Sequence, residues 1–169
     1  MGPCTFAQHD ARPGGDEHME DWLYNVMPTV EYIAGSNMWK LDKDHSYMPE
    51  GVAASSKLSI RVYDLEDWQH YRFKELLQKV VKVYKEKNYE WTIGTYWAEF
   101  NVASDEDVAL VWGFDKWAWF DKDSKFRTDF EEVHGEGSWF KFLEELRGTV
   151  KGAKDEVWEI IPKLSGDGK

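Results

Sequence analysis

Residues 134–162 read HGEGSWFKFLEELRGTVKGAKDEVWEIIP, and this stretch decides the fold. Its first half carries apolar residues at helical spacing, which predicts an amphipathic helix beginning after Ser138 as N-cap. The two glycines Gly148 and Gly152 are expected to weaken and end that helix, and a short strand is predicted over 157–161. The apolar face of the helix consists of Trp139, Phe142, Leu143, Leu146 and Val150.

A similar pattern occurs 120 residues earlier, where Met19, Trp22, Leu23, Val26 and Val30 match those five positions. Such self-similarity predicts an internal repeat. The chain would then be a piece of a longer two-unit protein. The alternative is that residues 16–47 form an ordinary extension packed on a single domain. The repeat interpretation divides the chain into a flexible tail (1–15), a helix-strand half-repeat with its linker (16–56), a complete unit (57–164) and a second tail (165–169).

Composition excludes several function classes. The net charge of −11 disfavours nucleic acid and anionic membranes as partners. Cys4 is the sole cysteine, which rules out an internal disulfide and a cysteine-based zinc site. No segment resembles a signal peptide or a membrane span, so insertion into a membrane is not expected, and the compartment stays open. The ten tryptophans indicate half-buried surfaces, subunit contacts or cavity walls.

Residues 57–133, which precede the stretch 134–162, supply the remaining predicted strands and helices. Residues 57–63 alternate apolar and polar, which predicts a half-buried strand. A helical stripe follows, formed by Phe73, Leu76, Leu77, Val80 and Tyr84. Residues 90–101 and 108–114 are rich in aromatic and branched side chains around a polar turn, which predicts a hairpin. Residues 121–133 are expected to form a short polar helix.

The resulting order, strand-helix-strand-strand-helix-strand, predicts an α+β fold: a ferredoxin-like βαββαβ unit with an antiparallel sheet, preceded by a helix-strand half-repeat. Both faces of the predicted strands are apolar. Two helices cover only one face of such a sheet, so the other face requires a cover. We expect a second sheet there, from a twin subunit in a homodimer or from a missing sister repeat.

On its element order, its opening strand SIRVY and its closing strand VWEII, the segment 57–164 resembles the dimeric α/β-barrel superfamily. This group includes antibiotic-biosynthesis monooxygenase-like and stress-responsive barrel domains, and the half-repeat resembles uncharacterised tandem-domain members. The resemblance implies paired sheets but no single chemistry, because members range from cofactor-free oxygenases, haem-degrading, isomerase-like and decarboxylating enzymes to domains without known activity. The haem-degrading branch uses an asparagine on its first strand, where this chain has Ser59, Arg61 and Tyr63.

His134 is the candidate catalytic residue. It precedes a glycine-rich turn at a helix entrance, where it could face the open side of the sheet and transfer a proton near neutral pH. With Glu131 it also forms a Glu-x-x-His motif, of the kind found in two-metal helical bundles. The chain lacks the second motif that such a site requires. No metal and no cofactor is therefore predicted.

The candidate ligand-binding residues are polar or aromatic side chains on otherwise apolar strands, namely Arg61, Tyr63, Trp97, Glu99 and Trp112. Arg61 needs either a carboxylate partner or an acidic ligand, and Glu99 is the expected partner. Aromatic side chains around Trp112, Trp117 and Trp119 would either wall a pocket for a small apolar or aromatic molecule or pack at an interface.

Two functions remain in view. The first is a non-catalytic interaction or ligand-binding module, favoured by the tryptophan excess without a recognisable catalytic set. The second is a small-molecule enzyme, similar to a cofactor-free oxygenase or an isomerase, that acts in a cavity between paired sheets. The sequence leaves open whether the protein is an enzyme.

Overall fold

The computed structural model describes residues 20–31, 38–100, 106–121 and 124–161. Over these ranges it has an α+β fold, in which a five-stranded antiparallel sheet carries three α-helices on one side. The elements in chain order are a π-helical turn (Trp22–Val26), a 3₁₀ turn (Met27–Thr29), β1 (Met38–Leu41), β2 (Lys57–Leu65), α1 (His70–Glu86), β3 (Gly94–Phe100), β4 (Val108–Phe114), a second 3₁₀ turn (Trp117–Trp119), α2 (Phe126–His134), α3 (Ser138–Arg147) and β5 (Val150–Glu159).

The strand order is β1-β3-β4-β2-β5, and every neighbouring pair is antiparallel. Strands β2 to β5 with the intervening helices form the βαββαβ unit, in the order that places β4 and β5 on either side of β2. The predicted ferredoxin-like fold class is confirmed. Strand β1 adds a fifth strand at the edge beside β3.

Helix α1 packs directly on the sheet. Phe73 and Leu77 of α1 join Leu65, Val108 and Leu110 of the strands in one buried cluster. Alternation along β2 and β4 directs these strand residues to the helix side. This cluster fixes which face of the sheet the helices cover.

Helices α2 and α3 pack chiefly against α1. Phe130 of α2 and Phe142 of α3 are buried with Leu76 and Val83 of α1. The helix layer contacts the strands mainly through α1, and α2 and α3 lie beside α1. A space therefore remains between the sheet and the three helices.

The opposite face of the sheet has its own apolar cluster. Ile60, Val62 and Ala109 are buried there, and the half-buried side chains around them are Trp39, Leu58, Tyr96 and Val111. The expectation that both faces of the strands are apolar agrees with these two clusters.

The end of α3 differs from the sequence expectation. Helix α3 stops at Arg147, and Val150 begins β5 instead of completing the helical face. The hydroxyl of Thr149 donates to the carbonyl of Glu145, which closes the last turn. Strand β5 consequently runs from 150 to 159, whereas the prediction placed it at 157–161.

The turn between α2 and α3 explains a second difference. Gly135 and Gly137 have φ angles of +96° and +74°, a backbone region that glycine adopts without strain. Gly137 therefore occupies the N-cap position that was predicted for Ser138, which is the first residue of α3.

The predicted half-repeat corresponds in the structure to two short helical turns and strand β1. Pro28 lies in a 3₁₀ turn that follows a π-helical turn, in agreement with the interruption that proline causes in a helix. Strand β1 belongs to the same sheet as β2 to β5. The division into a half-repeat and a complete unit stays a prediction, and both predicted tails lie outside the described residues.

Candidate functional site

A cavity of about 780 Å³ lies between the sheet and the helix layer. Of the described side chains that line it, half are aromatic, and these come from β2, β4, all three helices and the connecting segments. Its volume falls within the range typical of sites for small molecules. The aromatic members are Tyr63, Phe73, Tyr84, Tyr89, Trp91, Trp112, Trp119, Phe120, Phe126, Trp139 and Phe142.

Strand geometry explains how β2 and β4 contribute to this wall. Residues two apart on a strand share a face, so Arg61 and Tyr63 both point to the helix side. Leu110 lies opposite Arg61 in the antiparallel register and also lines the cavity. Trp112 follows two positions later on the same face. The structure thus brings Arg61, Tyr63 and Trp112 to one cavity, and their assignment to ligand binding stays a prediction.

The location of that cavity differs from the expectation. The sequence placed it between paired sheets, but Arg61, Tyr63 and Trp112 face the helices of their own chain. Their strands are apolar on both sides, and the pattern alone does not tell which side the helices cover.

The aromatic wall is held by hydrogen bonds. Nε1 of Trp112 donates to the phenol oxygen of Tyr84 at 3.1 Å. The hydroxyl of Tyr89 donates to Oδ2 of Asp129 at 2.7 Å and so joins the segment after α1 to α2. These bonds fix three aromatic rings and one carboxylate at the cavity wall.

The phenols at the wall are neutral at physiological pH. Burial raises the pKa of Tyr84, and burial together with the bond to Asp129 raises the pKa of Tyr89 well above its usual range. Burial also raises the pKa of Tyr63, although the neighbouring Arg61 opposes it. These groups can donate or accept hydrogen bonds, but they do not supply a base.

Arg61 is one of the few polar residues that line the cavity. Its Nε and Nη2 donate to the two carboxylate oxygens of Asp155 at 2.6 and 2.7 Å. The bonds from Arg61 lower the pKa of Asp155, and the same bonds are the main cause of the raised pKa of Arg61. The expected partner Glu99 was wrong, because β5 lies next to β2 and brings Asp155 opposite Arg61.

The structure does not bring Trp97 and Glu99 to this cavity. Nε1 of Trp97 donates to Oδ2 of Asp42 at 3.0 Å, and the Nζ of Lys74 lies 5.0 Å from the centre of its rings. Glu99 is an ion-pair partner of Lys40 at 3.7 Å. Both residues are near β1, at the opposite edge of the sheet from Asp155. Their assignment to ligand binding stays a prediction.

His134 ends α2 and contacts α1. Its Nε2 lies 3.0 Å from the carbonyl oxygen of Lys79, and because a carbonyl only accepts, Nε2 carries the proton. Its ring packs on Phe130 at 4.5 Å between centroids. His134 is not among the residues that line the cavity. The structure places it within the helix layer and not at the open face of the sheet.

The 3₁₀ turn after β4 forms part of the rim. Trp119 and Phe120 line the cavity, and Trp119 stacks on Phe114 at 5.7 Å. Trp117 is 61% exposed and is not among the lining residues. Of the tryptophans considered as a wall, Trp112 and Trp119 therefore take that role.

Sequence reasoning missed several groups. Trp139 and Phe142 were predicted as the packing face of α3, and their spacing carried no signal of a cavity. Nothing in the sequence singled out Asp155, because its contact with Arg61 depends on the pairing of β5 with β2. Asp42 was also not predicted, because its contact with His45 is visible only in the structure. There Oδ2 of Asp42 accepts a hydrogen bond from Nδ1 of His45 at 2.8 Å.

Metal centres and membrane spans are both absent from the described part of the chain. Among residues 20–31, 38–100, 106–121 and 124–161, no group of three His, Cys, Asp or Glu side chains is arranged to hold a metal ion. In the same ranges, no helix combines the length and the apolar character needed to cross a bilayer.

No family model matches the chain, and no curated protein sequence matches it. Solved structures that are similar to the chain include two proteins from Agrobacterium tumefaciens and one from Burkholderia xenovorans. A NIPSNAP family protein, Atu5224 from Agrobacterium tumefaciens, shares 13% identity at a TM-score of 0.46, over 65% of this chain and 90% of that chain. Protein Atu4242 from the same organism shares 17% identity at a TM-score of 0.44, over 63% and 94%. An uncharacterised NIPSNAP domain protein from Burkholderia xenovorans shares 12% identity at a TM-score of 0.40, over 63% and 95%. At these identities and TM-scores, the similarity assigns neither a family nor a function to this chain.

Proposed function

We propose that this protein binds a small apolar or aromatic molecule in the cavity between its sheet and its helices. The observation that carries the proposal is the aromatic lining of a space of about 780 Å³. Aromatic walls bury large areas of a ligand and stack on planar groups. The few polar groups at the wall, among them Arg61 and Tyr63, would set the orientation of the ligand.

Binding without turnover fits the groups at the wall. Tyr63, Tyr84 and Tyr89 are phenols with raised pKa values, so they hold their protons at neutral pH. Asp129 already accepts the hydroxyl of Tyr89. Within the described residues, no histidine lines the cavity. Among the described lining residues, few groups are therefore suited to general acid–base catalysis near neutral pH.

The enzyme alternative makes a different prediction about the bound molecule. A binding module releases its ligand unchanged, whereas an oxygenase returns a heavier product and an isomerase returns a product of equal mass but different chromatographic retention. Native mass spectrometry of the purified protein, followed by denaturation and by chromatography with mass analysis of the released compound before and after incubation with oxygen, separates the two functions.

A neutral aromatic probe tests the site itself. N-phenyl-1-naphthylamine fluoresces on entering an apolar site, and we expect one molecule to bind per chain. Leu143→Trp adds bulk at the cavity wall and should abolish binding. Phe140→Trp is the matched control, because Phe140 lies on the same helix and is 57% exposed. The proposal fails if the probe does not bind the folded wild-type protein, or if Leu143→Trp binds it normally.

We further propose that two chains pair through the second face of the sheet, as in a dimeric α/β barrel. Support comes from the apolar cluster of Ile60, Val62 and Ala109 on that face, with half-buried apolar neighbours. The three α-helices pack on the other side of the sheet. A second copy of the same face is the simplest cover for such a surface.

A further inference from the structure

We propose that the ligand of this cavity is an amphipathic organic anion, with its aromatic or apolar body between the sheet and the helices and its acid group bound by Arg61 and Tyr63. The inference rests on the proposed function and adds the chemical class of the ligand. An acid group on the ligand would take the place that Asp155 now holds beside Arg61.

The guanidinium of Arg61 has capacity for such a group. Its pair with Asp155 uses Nε and Nη2 and leaves Nη1 outside the pair. Arg61 lines the cavity, and 48% of its side chain is exposed. A planar guanidinium suits bidentate recognition of an oxyanion.

Tyr63 supplies a second donor. Its side chain lines the cavity on the same strand face as Arg61, and burial raises the pKa of its phenol, so the hydroxyl keeps its proton. That proton can donate a hydrogen bond to an anion. Arg61 and Tyr63 together therefore provide converging donors on one strand face.

Asp155 is a replaceable partner. It lies on β5, the outer strand of the sheet on this side, and 64% of its side chain is exposed. Both side chains of the pair are exposed enough for water to screen it, so release of Asp155 to solvent costs less than release from a buried pair. An acid group that enters from the cavity side is more shielded from water, and its bond to Arg61 is correspondingly stronger.

The charge of the wall favours an anion despite the net charge of the chain. Among the described residues, the charged side chains that line the cavity are Arg61, Lys125 and Asp129. The Asp129 carboxylate accepts the Tyr89 hydroxyl at 2.7 Å and lies 4.0 Å from Nζ of Lys87. The net charge of −11 repels anions in general. A preference for an anion at this wall must therefore come from local cations.

Two probes with the same aromatic body isolate the acid group. 8-Anilinonaphthalene-1-sulfonate carries a sulfonate, and N-phenyl-1-naphthylamine is the same molecule without it. Equilibrium titrations of wild type, Arg61→Gln, Asp155→Asn and Lys125→Gln with both probes give eight dissociation constants. Circular dichroism and a urea midpoint for each variant check that it is folded.

Replacing Arg61 and replacing Asp155 are expected to change the affinity for the sulfonate probe in opposite directions. Arg61→Gln should weaken binding of the sulfonate probe about tenfold or more, the size of a lost charge-assisted hydrogen bond. Asp155→Asn should strengthen it several-fold by removing the competitor. Both variants should leave the affinity for the neutral probe within about twofold. Lys125→Gln should have a smaller effect than Arg61→Gln.

The outcomes separate this inference from the proposed function. If the neutral probe binds and Arg61→Gln weakens neither probe, the cavity site stands and the anion inference is wrong. The anion inference is also wrong if Lys125→Gln alone weakens binding of the sulfonate probe. If neither probe binds the wild-type protein, the proposed function has failed first.

Discussion

Tyr84 of α1 and Trp112 of β4 meet at the cavity wall, where the indole nitrogen donates a hydrogen bond of 3.1 Å to the phenol oxygen. Tyr84 is 6% exposed, so its hydroxyl has little access to water. The bond joins the helix layer to the sheet beside the space proposed for the ligand. It therefore bears on both stability and the shape of the site.

Tyr84→Phe should lower the free energy of unfolding by about 1–3 kcal/mol, because the indole of Trp112 loses its acceptor at a half-buried site. Trp112→Phe removes the other partner, and the double variant should cost less than the sum of the single changes. Urea denaturation of the four proteins measures the coupling. Tyr71→Phe is the control, because Tyr71 is on the same helix and 62% exposed. Additive effects within error would show that the bond contributes nothing.

His134 is expected to act on the helix layer and not on the ligand. His134→Phe removes the bond to the carbonyl of Lys79 but keeps a ring beside Phe130. We expect a loss of about 1 kcal/mol in unfolding free energy and unchanged affinity for both naphthalene probes. His70→Phe is the matched change at a histidine whose side chain is 53% exposed. Probe affinity that falls with His134→Phe in a folded protein would restore the case for a direct role in the site.

The alternation of residues 57–63 was sufficient to predict β2, and the stripe from Phe73 to Tyr84 was sufficient to predict α1. Both patterns arise from local burial, which repeats with the period of the element. The full length of β5 was hidden because Lys151, Lys154 and Asp155 make its first part polar. Charged residues are common on edge strands, since they discourage pairing with other chains.

The site was harder to predict than the fold. Ile60 and Val62 lie on one face of strand β2, and Tyr63 and Leu65 lie on the other face. Because both faces carry apolar side chains, the sequence does not say which face the helices cover. The partner of Arg61 depends on which strand lies beside β2, a tertiary property. Sequence reasoning therefore singled out Arg61, Tyr63 and Trp112, which line one cavity, but it expected that cavity between paired sheets and not between the sheet and the helices.

Asp42 provides a pH-dependent link between the segment after β1 and the sheet. Burial raises its pKa, but the hydrogen bonds from His45 and Trp97 outweigh this and hold the pKa of Asp42 below its ordinary value. A group with a lowered pKa in the folded state stabilises that state above its unfolded pKa of about 3.9. This stabilisation is lost as the pH falls through the folded pKa.

Asp42→Asn should therefore lower the free energy of unfolding by about 1–3 kcal/mol at pH 6. The difference from wild type should shrink as the pH falls below about 4, because protonation removes the same charge from the wild-type protein. Urea titrations across this range measure it. Asp44→Asn is the control at an exposed neighbour whose backbone NH donates to Asp42. A difference that stays constant down to pH 3 would contradict the assignment.

Pairing through the second sheet face makes a prediction about mass. Each chain has a mass of 19.9 kDa, and light scattering of the wild-type protein should give twice that value. Val111→Asp places a carboxylate among the apolar residues around Ile60, and it should shift the protein to a monomer because an unpaired charge is costly to bury.

Val157→Asp is the matched change for this test. Val157 lies opposite Ser59 on β5, on the face that the helices cover, and it is 45% exposed. It should leave the dimer intact. A monomeric wild-type protein at micromolar concentration would refute the pairing outright. A dimer that survives Val111→Asp but dissociates with Val157→Asp would move the interface to the edge of β5 and leave the apolar cluster around Ile60 without its proposed partner.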